Sequence, residues 1–87
     1  MKKNTIIVLG KPYSIEYRAM DDAGFLEHNI QKIYVNNTHG VDQQAETLLH
    51  EVLHAISNEL RLDLPEKTVA RLAVGIYSAG YRLKEKM

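Results

Sequence analysis

The stretch "DQQAETLLHEVLHAI", residues 42–56, decides how the rest of the chain is read. Ala45, Leu49, Val52, Leu53 and Ile56 recur at three- and four-residue steps, and Leu60 continues the series. That spacing predicts an amphipathic helix opening at Asp42, with Asp42 placed as its N-cap. Into this helix are set His50, Glu51 and His54. Ionisable groups among apolar side chains are costly unless something pairs with them. On a wheel of about 100° per residue, the apolar side chains share the arc that must face the core. His50 and His54, one turn apart, stand roughly 40° from each other at the margin of that arc, and Glu51 lies about 100° round from His50.

Downstream, Arg61-Leu62-Asp63-Leu64-Pro65 breaks the helix, and Pro65 suits the first turn of a second one. There Val69, Leu72, Ala73, Ile76 and Leu83 repeat the helical spacing as far as the charged Lys84-Glu85-Lys86. Upstream, Thr5 to Leu9 is an apolar β-branched run stopped by the turn-forming Gly10-Lys11-Pro12. Tyr13 to Arg18 alternates, with Tyr13, Ile15 and Tyr17 on one face, so these two elements predict a hairpin. Ala19 to Asn29, containing Asp21-Asp22-Ala23-Gly24, has no sustained period and reads as a loop with room for one helical turn. Ile30 to Val35 reads as a third strand with Ile33 and Val35 facing together, and Asn36 to Gly40 as a turn. The expectation is one α+β domain over residues 1–87: a three-stranded sheet, a hairpin plus one strand, followed by two helices.

Composition narrows the function. Lysine plus arginine equals aspartate plus glutamate at 11 each, which argues against electrostatic capture of nucleic acid or an anionic membrane. There is no cysteine, so disulfides and thiolate metal sites are excluded, and any metal must be held by histidine and carboxylate. The basic Met1-Lys2-Lys3-Asn4 precedes only a short apolar run, Ile6 to Leu9, too short for a signal segment or a membrane span. A soluble, cytoplasmic protein is expected, monomeric or a small homo-oligomer, with neither nucleic acid nor membrane as partner.

The histidine spacing carries the chemistry. Imidazoles one turn apart can reach a single ion, and zinc accepts such nitrogens readily. Glu51 is offset, poorly placed as a ligand and well placed to reach a water on the open side of the ion. This is the His-Glu-x-x-His arrangement of zinc peptidases, with the glutamate as general base. Chance alone would produce the pentamer in roughly one or two chains per hundred of this composition. The plainer reading makes the histidines half-exposed polar residues on a helix edge and Glu51 a solvated charge. A third ligand is needed for a catalytic zinc. The metzincin continuation would require glycine at position 57 and histidine at position 60, where the chain has Ser57 and Leu60. Glu59 lies roughly 160° from the pair on the wheel, Glu46 would need a long reach along the helix, and Asp63 falls in the turn. Glu66 opens the second helix and leans toward the packed face defined by Val69 and Ala73, although an acid in a first turn is also favoured by the helix dipole alone. His28 and His39, in upstream loops, are its rivals, and spacing leaves the three open.

Together, "ETLLHEVLHAI" (46–56) and "LDLPEKTVARLAVGIY" (62–77) resemble the small single-domain gluzincin-type metallopeptidases. These include the ImmA/IrrE-like proteins of phages and mobile elements and the smaller minigluzincins. The resemblance is specific over Ile33 to Tyr77; the N-terminal hairpin matches only in the order of elements. It implies a small zincin-like sheet ahead of both helices, zinc on His50 and His54, Glu66 as third ligand, and Glu51 as the base. It also implies a peptide or protein substrate, such as a phage repressor or another regulatory protein. Tyr77, Tyr81 and Arg71 are the candidate oxyanion donors on the second helix, and the strand Ile30 to Val35 is the candidate edge for an extended peptide. The alternative is a non-catalytic zinc-binding scaffold that grips a protein partner, since a chain of this size has little left to build a deep specificity pocket.

Overall fold

The computed structural model of the chain describes residues 4–83; the basic Met1 to Lys3 and the charged Lys84 to Lys86 lie outside them. Strands β1 (Asn4–Val8) and β2 (Lys11–Arg18) form the expected hairpin. Its two-residue turn is Leu9-Gly10, with φ of 51° and 80°, so both residues adopt the left-handed backbone that matches strand twist. The turn therefore falls one residue earlier than Gly10-Lys11-Pro12, and Lys11 and Pro12 already belong to β2.

The sheet has four strands rather than three. Within the stretch Ala19 to Asn29, expected as a loop, lies β3 (Gly24–Glu27), and a single 3-10 turn at His28–Ile30 takes Ile30 out of the expected third strand. Strand β4 follows at Lys32–Asn36, and the spatial order is β1-β2-β4-β3. Strand β4 runs parallel to β2 and antiparallel to β3, so it is hydrogen-bonded on both sides. The free edge expected on Ile30 to Val35 is instead on β3. The physical reason is long-range: the chain leaves β2, passes beyond the place β4 will take, and returns through it.

Ile6, Val8, Tyr13, Ile15, Ile33 and Val35 form the buried face of the sheet, as the alternation required. Against it packs helix α1 (Val41–Leu60), through Leu48, Val52 and Ala55. Leu60, expected on the core arc, is exposed. Asp42 is not the N-cap: the helix opens at Val41 behind Gly40, so Asp42 is already helical, and its carboxylate accepts a hydrogen bond from Tyr77 Oη at 2.8 Å. Helix α2 (Glu66–Ser78) lies on α1 and buries Val69 and Ala73. It stops at Ser78, short of Leu83, where Gly80 takes a φ of 94°. Leu83 nevertheless returns to the margin of the core. Among the described residues no helix is long and apolar enough to cross a membrane.

Candidate metal centre

His50 and His54 project from the half of α1 that passes the start of α2, and Glu66 is the first residue of α2. Both carboxylate oxygens of Glu66 lie 2.9 Å from Nε2 of His50, and they stand 3.3 and 3.0 Å from Nε2 of His54. One donor atom from each of the three residues falls within 4.8 Å of the others. Partial burial pushes the Glu66 carboxyl up, but its contacts with His54 and His50 outweigh this and hold it below the usual carboxylate range. A tetrahedral centre with bonds of about 2.0–2.1 Å sets adjacent ligand atoms about 3.3–3.4 Å apart. The observed imidazole–carboxylate distances need open by only a few tenths of an ångström to admit an ion. Two imidazoles and a carboxylate are a donor set that could hold a metal.

The turn between the helices makes this convergence possible. Arg61 closes α1 in the left-handed conformation, φ 54°, while its N–H reaches Asn58 O and the N–H of Leu62 reaches Ser57 O. This is a Schellman closure with arginine where glycine is usual. Asp63 adds a second left-handed residue, φ 51°. The Oγ of Ser57, itself buried, accepts the N–H of Leu64 at 3.0 Å. The reversal is thereby tied to the last turns of α1 before Pro65 starts α2, and Glu66 is delivered to the histidines.

Glu51 is set apart from the three. Its residue exposure is 8 %, and among the described residues its carboxylate has no hydrogen-bond or ion-pair partner. It lines a pocket of about 380 Å³ with His50, Glu66, Thr47 and Gly24. Burial pushes its carboxyl up to about 7; the nearby His54 opposes this and Glu66 adds to it. Gly24 is what lets β3 come so close. A Cβ there would meet Thr47 Cγ2 at 2.5 Å, the Tyr34 carbonyl oxygen at 3.0 Å and Glu51 Oε2 at 3.2 Å.

The loop before Gly24 is fixed by Asn36, which is 2 % exposed. Its amide donates to the carbonyls of Met20 and Asp22 at 2.7 and 3.0 Å, and its Oδ1 accepts from the N–H and hydroxyl of Thr38. The sequence marks Asn36 only as a turn residue, and the adjacent Thr38 is the one local sign of its second role. Gly24 carried no signal beyond turn composition.

The remaining candidates lie elsewhere. Glu59 stands outside the ligand group: it accepts from Lys11 Nζ at 2.8 Å and Tyr13 Oη at 2.7 Å, pinning the end of α1 to β2. The Lys11 and Tyr13 hydrogen bonds hold Glu59 below its usual range, while burial, with Glu59 beside it, pushes Tyr13 up to about 12. Glu46 borders the pocket of His50, and His28 and Asp63 border a second pocket beside His54, but none of them joins the ligand group. His39 is in the turn before α1, its carbonyl bound by Gln44 Nε2, and it too stands outside the group. Tyr77 is engaged with Asp42, and with Tyr81 it lines a separate, mainly apolar groove. Arg71 is exposed on α2, and none of the three borders the pocket of Glu51. Neither a protein-family model, nor a curated protein, nor a solved structure matches this chain.

Proposed function

We propose that the chain is a zinc-dependent peptidase of gluzincin kind, with His50, His54 and Glu66 as metal ligands and Glu51 as general base. The observation that carries this reading is the placement of Glu51: buried, unpartnered, and opening on the same pocket as two of the ligand residues while remaining outside the ligand group. A purely structural metal site has no use for a second acid held in that state, and burying one without a partner destabilises the fold. Zinc suits the donors because nitrogen and a single carboxylate are its usual ligands, whereas calcium and magnesium take oxygen. When bound, the ion supplies Lewis acidity toward a peptide carbonyl and lowers the pKa of water.

The chain's own residues supply the rest. Glu51 accepts the proton of the water that attacks the carbonyl carbon, and returns it to the amine as the C–N bond breaks. The free edge of β3, beginning at Gly24 beside Glu51, offers backbone groups to an extended peptide. The substrate on this reading is an extended segment of a peptide or protein.

The test is a Glu51→Gln variant compared with wild type for zinc content and for cleavage of a peptide mixture followed by mass spectrometry. Wild type should hold one zinc and cleave, and should stop when the metal is chelated. The variant should keep the zinc and cleave nothing. Undiminished cleavage by the variant removes Glu51 from the mechanism, and a zinc-loaded wild type that cleaves no peptide favours the binding scaffold.

A further inference from the structure

The pocket beside Glu51 has a charge that the proposed chemistry does not use up. Its lining includes Asp22, Glu46, Glu51 and Glu66, with Gln43, Thr47 and His50, and no lysine or arginine. A divalent cation on the ligand group would offset two of the four carboxylates. Asp22 and Glu46 would still be unmatched, for neither makes an ion pair among the described residues. Asp22 is held at the pocket rim by its own backbone, since its carbonyl is bound by the buried Asn36 amide. Glu46 stands one turn before His50 on the same helix. Opening into this same space is Glu51, a residue only 8 % exposed whose carboxylate reaches the pocket and has no partner among the described residues, so the pocket is built to receive something polar rather than merely acidic at its rim. On the far side of the metal group, the pocket at His54 carries Lys11, His28 and Arg61 along with Glu59 and Asp63. That flank is balanced, two cations against two acids, whereas the pocket beside Glu51 carries acids and no lysine or arginine.

We infer that the pocket between Gly24 and His50 is a substrate subsite for a cationic nitrogen, either a lysine or arginine side chain or a free N-terminal ammonium. This rests on the peptidase reading for its setting, but its own test is binding. Four peptides of otherwise identical sequence carry either lysine or norleucine at one position and either a free or an acetylated N-terminus. Their affinities are measured by fluorescence anisotropy on the zinc-loaded Glu51→Gln variant. The charged group, whichever of the two it is, should strengthen binding about tenfold, the expectation for two partly exposed carboxylates facing one cation. Combining Asp22→Asn and Glu46→Gln should reduce that preference to about twofold, and raising the salt concentration should shrink it in the protein that retains both acids.

Lysine against norleucine in the acetylated pair identifies a side-chain subsite; free against acetylated terminus in the norleucine pair identifies an ammonium subsite. Equal affinities across all four peptides, or no binding of any at millimolar concentration, overturn the inference. So does a preference that survives both substitutions. Cleavage by wild type is scored separately. A charge preference in binding with no cleavage would refute the peptidase reading and leave the subsite standing, whereas cleavage with no charge preference would do the reverse.

Discussion

Replacing Glu51 with glutamine should make the metal-free protein more stable at alkaline pH than at acid pH relative to wild type, even as it removes the proposed base. Burial first, then the neighbouring Glu66, raises the Glu51 carboxyl from 4.5 to about 7 in the folded chain, against the pull of His54. The folded state therefore binds this proton more tightly than the unfolded state. Between those two values it carries more protons, so wild-type stability falls as pH rises through the window. Each pH unit crossed is worth about 1.4 kcal/mol. At pH 8 the full penalty is about 3 kcal/mol, and at pH 5 it is below about 1 kcal/mol. Water entering by the pocket mouth screens part of this, which leaves about 2 kcal/mol as the expected difference between the two conditions.

Glutamine keeps the shape and does not titrate. Its unpaired amide carries a desolvation cost of its own, but that cost does not depend on pH. The informative quantity is the change in the mutant-minus-wild-type difference, not its absolute size. Urea unfolding of both proteins at pH 5 and pH 8, in the presence of a chelator, measures it directly. A stability difference that stays within about 0.5 kcal/mol between the two conditions would refute the claim that Glu51 is buried as an unpaired acid.

Three further outcomes are expected. Glu66→Ala should lower zinc affinity about 100-fold or more by competition against a chromophoric chelator, because two imidazoles alone hold the ion poorly. Asn36→Ala should destabilise the fold by about 2–4 kcal/mol in urea unfolding, since it strands the carbonyls of Met20 and Asp22 and the N–H of Thr38. Arg61→Gly should raise the melting temperature, with a gain of about 0.5–1 kcal/mol, by relieving a left-handed residue at φ 54°.

Helix α1 was legible because its information is local. The side-chain period of 3.6 puts His50 and His54 on one edge and sends Glu59 to another, and no distant contact is needed to know it. The hairpin was legible for the same reason, since the alternation of Tyr13, Ile15 and Tyr17 selects its buried face. Glu66 stood between. Its lean toward α1 could be read from Val69 and Ala73, but its meeting with both imidazoles depends on Arg61 and Asp63 adopting left-handed backbone. Neither residue type advertises that conformation as glycine would.

Strand β3 was illegible because four residues without alternation are too few for a period. Its existence depends on pairing with β4, in which Gly24 faces Val35 and Glu27 faces Lys32. Asn36 was misread in a related way. Its bond to Thr38 is local and fits a turn, while the amide bonds that fix the rim of the pocket reach back 14 and 16 residues. The spacing of the histidine pair is therefore written in one helix, but the wall facing it is written across the sheet. A chain could keep His50, Glu51, His54 and Glu66 and still lose the pocket by a single methyl at Gly24, where β3 and α1 leave no room for one. In this fold, the motif alone is a weaker guide to the pocket than the motif together with the glycine opposite it.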